Sequence, residues 1–323
     1  MTKFQIIPYT EDYFDLWNKF IQSSINGTLF HRLDFLAYHR NKFARNAHNL
    51  MWMKGNSLYA VLPMAVIEER EKRIAVSPYG TSYGGFVTRK LLGYDKASIL
   101  IKKFIEYFHK QNIDECRLTF PIRAAYKEFS ETLFLVLYEN GFILDNADIS
   151  SVVELKEEIK NKMHSSAKRN VQKAEREGIS FRHDVPLRDF KVPFDKTFQK
   201  HNTKPTHSIE ELNWLHEHFP SSVFFDVAYF NDLPVSGICH FVQNNRLDSS
   251  FYLCNDPEYE KYQGLPYLIY YSLLHSRRNG FQFFDFGTSS VNTQGRPNIF
   301  KFKEKFGAIG QFRNTFIWKK SVK

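Results

Sequence analysis

The residues from Phe281 to Phe306, FQFFDFGTSSVNTQGRPNIFKFKEKF, combine side chain types that could perform chemistry together. The pattern predicts a short buried strand, a polar loop, and a helix from Ile299 that Gly307 ends. Asp285 lies near the end of the strand, where open α/β sheets tend to hold ligands. A carboxylate there, facing a lysine-bearing helix, could hold an anionic substrate. The alternative is a structural strand–loop–helix with a solvated lysine face.

The composition is that of a globular protein with two ordinary domains: 323 residues, 43% hydrophobic and 24% charged. The formal charge is +9, and the segment from Arg296 onward carries eight Lys/Arg and one acid. This basic end could attract phosphates, nucleic acid or an anionic membrane surface, or it could be a solvated tail.

The cysteines and the start of the chain bear on location. Cys116, Cys239 and Cys254 have no paired spacing, which argues against a disulfide framework and a zinc site and for a reducing compartment. No apolar signal segment opens the sequence, and no apolar run is long enough to span a bilayer. We therefore expect a cytoplasmic protein with no transmembrane segment.

The order of predicted elements repeats once along the chain. Both halves follow β-α-α-β-β-β-α-β-α-β, which indicates a duplicated α/β domain with a mixed sheet, with boundaries at 1–155 and 156–323. The second half begins with a basic connecting helix over 160–177. Its Lys168 and Arg169 could bind phosphates, or the helix could be a solvated connection.

Two further groups of residues could belong to sites. Tyr79 and Tyr83 lie in a tyrosine- and glycine-rich loop, PYGTSYGG, that could line a ligand cleft or form an ordinary turn. His216 and His218 resemble a metal pair, but residues two apart on a helix point in different directions. The sequence also lacks the G-x-S-x-G, P-loop and G-x-G-x-x-G motifs. We predict no metal site.

Three segments, taken in order, resemble the FemAB-like group of acyl and aminoacyl transferases, including its BioF2-like members. SSAKRNVQKAEREGISF is similar to a basic R-x-x-x-K-A-x-x-x-G-I segment of that group. GLPYLIYYSLLHSRRNGFQFFDFG is similar to its helix, glycine, strand and D-F-G, and FKFKEKFGA to its F-K-x-x-F-G ending. The resemblance implies an α/β fold of two tandem GNAT-like N-acyltransferase domains.

The resemblance also implies catalytic residues. Acyl transfer to an amine requires a group that stabilises the oxyanion and a route for the leaving proton. By resemblance, a lysine of the FKFK segment stabilises charge near the carbonyl; Lys303 matches best and Lys301 second. A backbone N–H of the central strand would supply part of the oxyanion site, with Tyr252 as the side chain to watch. Asp285 could accept a proton or orient the amine, or it could fix the following loop.

The implied donor is acyl-CoA or an aminoacyl-tRNA, used as a co-substrate, with no tightly bound cofactor. GNAT enzymes hold the CoA pyrophosphate with Q/R-x-x-G-x-G/A ahead of the central helix. The matching residues here are Gln263, Gly264 and Leu265, followed by Pro266, which has no N–H to donate. A helix N-terminus can still hold phosphate. Because this phosphate site is poorer than that of GNAT enzymes, an aminoacyl-tRNA stays open as the alternative donor.

The implied acceptor is an amine of a cell-envelope or surface-polysaccharide precursor linked to a lipid or a nucleotide. Arg296, Lys168 and Arg169 are candidates to bind its phosphates, with surface solubility as the alternative. Two other hypotheses stay open: a non-catalytic nucleic-acid-binding protein, although no RRM, KH or helix-turn-helix signature is present, and a protein that binds a glycan precursor without turnover. Nothing in the sequence specifies the oligomeric state.

Overall fold

The protein is described by a computed structural model over residues 4–39 and 41–320. It divides into two compact units: unit 1 is Met1–Asp148 with Phe312–Lys323, and unit 2 is Ile149–Gln311. The predicted boundary at 155/156 lies near the first division. The final strand, which the sequence analysis assigned to the second domain, is grouped mostly with unit 1.

The elements are numbered in chain order. The strands are β1 Phe4–Pro8, β2 Leu50–Lys54, β3 Ser57–Leu62, β4 Ala65–Glu69, β5 Lys72–Ser77, β6 Val87–Thr88, β7 Glu115–Thr119, β8 Ile143–Glu154, β9 Ser180–Arg182, β10 Val223–Phe230, β11 Leu233–Phe241, β12 Leu247–Asn255, β13 Phe283–Thr288, β14 Ser290–Val291, β15 Gln294–Gly295 and β16 Ile309–Lys319. The helices are α1 Phe14–Ser23, α2 Leu33–Leu36, α3 Asn41–Ala44, α4 Tyr94–Lys110, α5 Thr132–Glu139, α6 Ile159–Lys162, α7 Ser165–Arg176, α8 Leu187–His201, α9 Ile209–His218, α10 Gly264–Arg278 and α11 Pro297–Glu304.

Unit 1 contains an antiparallel sheet in the order β1-β2-β3-β6 and a second set of strands in the order β4-β5-β7-β16. In the second set, β5 and β7 are parallel, while β16 pairs antiparallel with β7 through Thr315 to Lys319. This pairing explains why the end of the chain is grouped with unit 1. Helix α4 buries Ala97, Phe104 and Phe108 on one face, at the spacing of an amphipathic helix.

Unit 2 has the strand order β8-β13-β12-β11-β10-β9, in which the pair β12–β13 is parallel and the other pairs are antiparallel. Helices α7 and α10 pack on one face, in a core that includes Ile238. Helix α8 packs on the other face, where Phe190 closely approaches Gly237. Adjacent strand residues point to opposite faces, so the sheet lies between these helices. Among the residues that the structure describes, no helix has the length and apolarity needed to cross a membrane.

The predicted mixed α/β organisation is confirmed, and prolines influence the bounds of several elements. Strands β3 and β4 are separate, because Pro63 between them lacks the N–H that would continue the ladder. Helix α10 begins at Gly264, and α11 begins at Pro297 rather than at the predicted Ile299, with the proline in its first turn. Helix α8, by contrast, continues through Pro193.

Candidate active site

Lys303 is the buried residue of α11, with 5% of its surface exposed. Its Nζ donates hydrogen bonds to the carbonyl oxygens of Gly287 at 2.8 Å and Thr288 at 2.9 Å. Burial lowers the pKa of Lys303 from 10.5 to about 8, against the opposing charge of Asp285. An ammonium carries three donors, so the two bonds found within the described chain leave one N–H for another partner.

Asp285 lies near the end of β13 and is also buried. Its Oδ1 accepts a hydrogen bond from Ser150 Oγ at 2.6 Å and another from the Gly287 N–H at 2.8 Å. The second bond fixes the turn whose carbonyl oxygens hold Lys303. In this geometry Asp285 positions the strand end and the lysine beside it.

Strands β12 and β13 separate at this point. Their parallel ladder runs only from Leu247–Phe283 to Ser249–Asp285. The register of β12 on β11 then shifts, which leaves Phe251 without a partner in the ladder. The two parallel strands therefore diverge just where Lys303 is held.

Tyr252 lies beyond this bulge, on the face covered by α8. Its hydroxyl oxygen accepts the backbone N–H of His207 at 3.1 Å and lies 2.9 Å from His207 Nδ1. Phe194 and Phe198 contact its ring edge-on, and burial raises the pKa of the hydroxyl. Tyr252 thus ties the strand to the segment before α9, and its hydroxyl is engaged by protein groups.

The other predicted cations of unit 2 are more exposed. Lys301 and Arg296 face solvent on α11 and at its start. Lys168 is partly buried and Arg169 is exposed on α7, and neither forms an ion pair with a carboxylate in residues 4–39 or 41–320. These side chains therefore remain available to phosphate groups.

The basic helix and the lysine helix meet through their backbones. The His164 N–H, at the start of α7, donates to the carbonyl oxygen of Lys305, at the end of α11, at 2.9 Å. A Cβ at Gly307 would lie 2.6 Å from Lys162 Cβ, so the glycine permits this close approach. Two segments that are distant in the sequence form one cationic region.

The residues at the start of α10 match the position where GNAT enzymes hold the CoA pyrophosphate, and their geometry bears on whether CoA could bind there. Gln263 has a left-handed backbone with φ of 61°, and Gly264 and Leu265 open the helix. A Cβ on Gly264 would lie 2.8 Å from Ser236 Oγ, so this glycine serves packing against β11 rather than ligand approach. With Pro266 in the same turn, the donors of a pyrophosphate cradle are few.

The glutamates just before α10 form ion pairs with lysines of α8. Glu258 pairs with Lys196 at 2.8 Å, and Glu260 pairs with Lys200 at 3.3 Å. These cations are neutralised by carboxylates of the protein. The residues at this helix terminus therefore fit a CoA pyrophosphate poorly.

In unit 1 the two predicted tyrosines have different environments. Tyr79 lines a cavity of about 620 Å³, and its hydroxyl accepts a hydrogen bond from Asn46 Nδ2 at 2.9 Å. Tyr83 is buried against Phe30 and His31 in the interior of the unit. Tyr79 is therefore accessible to a ligand of unit 1, while Tyr83 supports the loop from beneath.

A buried charged cluster between the sheet and α10 was missed by the sequence analysis. His240 Nε2 lies 3.1 Å from Asp226 Oδ2, and His240 Nδ1 lies 3.0 Å from Asp248 Oδ2. Hydroxyls of Ser272 and Ser276 donate to the same two carboxylates. Burial opposes the charged imidazole, but the neighbouring carboxylates raise the pKa of His240 to about 10.

Ser150 and the charged cluster do leave a signal in the sequence. Each polar residue interrupts a strand that is otherwise apolar, as in ISSVVEL, VFFDVAYF and GICHF. Buried polar groups are hydrogen-bonded in native proteins, so such interruptions indicate partners on a neighbouring strand. Among the described residues, no group of three His, Cys, Asp or Glu side chains is arranged to hold a metal ion.

Neither a protein-family model nor a curated protein sequence matches the chain. Among solved structures, FemX superimposes over 98% of this chain and 97% of its own, with a TM-score of 0.73 and 10% identity. L-PGS from Bacillus licheniformis aligns over 97% and 93%, with a TM-score of 0.61 and 12% identity. A tandem GNAT protein from the clavulanic acid biosynthesis pathway aligns over 99% and 100%, with a TM-score of 0.55 and 7% identity. The chain therefore has the duplicated GNAT fold of FemX, and the resemblance drawn from the sequence is confirmed for the fold.

Proposed function

We propose that this chain is an acyltransferase that moves an acyl or aminoacyl group from an activated ester or thioester to an amine. The observation that carries the proposal is Lys303, a buried cation at the separation of β12 and β13 whose two hydrogen bonds to described residues leave one N–H. The shared fold with FemX and a tandem GNAT protein supports the same reaction class.

In the proposed step, the amine nitrogen attacks the carbonyl carbon and a C–N bond forms. The C–O or C–S bond to the donor then breaks, and the leaving group gains the proton that the amine loses. Lys303 stabilises the negative charge that develops on the carbonyl oxygen. A preorganised donor of this kind is worth about 10²- to 10³-fold in kcat. Asp285 acts indirectly, by fixing the turn that holds Lys303.

Of the two donors, the structure favours an aminoacyl ester of tRNA over acyl-CoA. The start of α10 fits a pyrophosphate poorly, since Gly264 packs against Ser236 and the nearby lysines are paired with acids. Lys168 and Arg169 of α7, linked to the end of α11, are suited to the phosphates of a nucleic acid. The acceptor that we propose is an amine of a cell-envelope or surface-polysaccharide precursor.

The test compares two lysines of one helix. The purified chain is incubated with aminoacyl-tRNA or acetyl-CoA and a panel of nucleotide-linked amino-sugar and peptidyl-sugar acceptors, and acylated products are detected by mass spectrometry. Lys303→Ala should lower kcat by about 10²-fold or more. Lys301→Ala, an exposed neighbour, should retain near wild-type turnover. Equal activity of the two variants would remove the role given to Lys303.

The alternative is a binding protein without turnover, and the unpaired cations of α7 are the observation that favours it. A wild-type chain that binds tRNA or a glycan precursor but forms no product from either donor would support this function. Binding to nucleic acid through Lys168 and Arg169 should weaken steeply as salt is raised, because counterions are released on binding.

A further inference from the structure

Ser250 carries a buried hydroxyl that no group in the described part of the chain satisfies. Only 5% of the residue is exposed, and its Oγ has no hydrogen-bond partner in residues 4–39 or 41–320. Buried hydroxyls nearby are paired: Ser249 Oγ donates to the Phe241 carbonyl oxygen, and Ser276 Oγ donates to Asp248. An unsatisfied buried hydroxyl is costly, so its retention here points to a partner outside the chain.

The hydroxyl lies at the separation of β12 and β13. Ser250 directly follows Ser249, which with Asp285 forms the last pair of the parallel ladder. Its partner on the neighbouring strand is His240, and residues that are paired across strands point to the same face. The His240 ring is 5.8 Å from the ring of Phe284, which places Phe284 on that face as well.

Helix α11 packs on the same face. Phe306, just beyond its end, contacts Phe286 with ring centroids 6.1 Å apart, and both belong to the core that contains Phe284. Lys303 reaches β13 from this helix and binds the carbonyl oxygens of Gly287 and Thr288. Ser250 and helix α11 therefore lie on the same side of the sheet, and from that helix Lys303 reaches the strand end at which β12 and β13 separate.

We propose that the Ser250 hydroxyl donates a hydrogen bond to the carbonyl oxygen of the group being transferred, as a second donor beside Lys303. This inference rests on the proposed function. Ser250 transfers no proton; its O–H bond stays intact while the C–N bond forms and the donor's C–O or C–S bond breaks. Two donors, one on β12 and one on α11, would hold the carbonyl in one orientation toward the amine.

The test uses Ser250→Ala and Ser250→Thr, with Ser276→Ala as a control for a buried serine on α10 that already has a protein partner. Ser250→Ala should lower kcat by about 10²-fold with little change in KM, because the bond strengthens as charge develops. Its melting temperature should equal or exceed that of wild type, since no protein hydrogen bond is lost. Ser250→Thr should recover part of kcat, whereas Ser276→Ala should lower the melting temperature and leave kcat close to wild type.

Each other result counts against the inference in a recognisable way. Unchanged kcat in Ser250→Ala, with an active wild type, overturns the role of Ser250 and leaves the proposed function standing. A lowered melting temperature in Ser250→Ala with a matching loss of activity means that the hydroxyl binds only structural water. An inactive wild type, with every donor and acceptor of the panel, overturns the proposed function and the inference together.

Discussion

The pH dependence of transfer distinguishes what Lys303 does. Burial lowers the pKa of Lys303 to about 8. The ammonium fraction is then about 0.9 at pH 7, about half at pH 8 and about a tenth at pH 9. If the ammonium stabilises the oxyanion, its contribution to kcat/KM should fall by about ten-fold for each pH unit above 8. If the neutral amine acted as a base, the contribution would instead rise up to pH 8 and then level off.

The measurement is the ratio of kcat/KM for wild type to that for Lys303→Arg between about pH 6 and about pH 10, since arginine stays charged throughout this range. The acceptor amine also titrates, but it does so equally in both proteins and cancels in the ratio. We expect the ratio to be level below pH 7 and to fall steeply above pH 8. The exposed Lys301→Arg should give a level ratio. A ratio for Lys303→Arg that is level across the range would refute the proposed role of the ammonium.

Two further predictions concern stability. His240→Gln removes the cation between two buried carboxylates, of which Asp226 keeps His183 Nδ1 at 2.7 Å while Asp248 loses its histidine, and should cost about 3–5 kcal/mol in urea unfolding at pH 6. Since the pKa of His240 is raised from 6.5 to about 10, its stabilising contribution is complete below pH 6.5 and is lost as the pH rises toward 10. The difference between wild type and His240→Gln should therefore shrink from pH 6 to pH 9, and a constant difference would contradict a charged imidazole. Gly264→Ala places a Cβ 2.8 Å from Ser236 Oγ and should cost about 1–3 kcal/mol by overpacking. Gly93→Ala meets no atom within 4 Å and serves as its control in thermal unfolding.

Local patterns in the sequence predict the elements of unit 2 well, because each signal acts within a few residues. Ser208 and Glu211 form the capping box that their spacing indicates, with both bonds present. Pro193 shows the limit of such rules, since α8 continues through it. Packing of Phe190 and Phe194 against the sheet outweighs the cost of a proline within a helix.

The environment of Lys303 depends on contacts that no helix pattern contains. In the sequence, Lys303 lies four residues after Ile299 and so near the apolar face of the predicted helix, where a lysine is unfavourable. The charged ammonium is tolerated there because two carbonyl oxygens of β13, about sixteen residues earlier in the chain, accept the hydrogen bonds that water would otherwise accept. The family resemblance singled out this lysine, whereas periodicity placed it only at the edge of a face.

Ser250 and the charged cluster around His240 are harder still to predict, because strand register determines both. A shift of one residue in the pairing of β11 and β12 would turn His240 and Ser250 to different faces. The sequence shows only that polar residues interrupt apolar strands. Which of them find partners among the described residues, as Asp248 does and Ser250 does not, follows from the tertiary structure.

The way in which Lys303 is held matters for catalysis. A lysine paired with a carboxylate is neutralised, and its field is largely cancelled before any substrate arrives. Lys303 is instead held by backbone carbonyl dipoles, while Asp285 is engaged by Ser150 and the Gly287 N–H. The carbonyl oxygens orient the ammonium without carrying a net charge of their own, burial lowers the pKa of Lys303, and the nearby Asp285 carboxylate favours its charged form. This arrangement suits stabilisation of an oxyanion, because the ammonium is fixed in place before negative charge develops on the carbonyl oxygen.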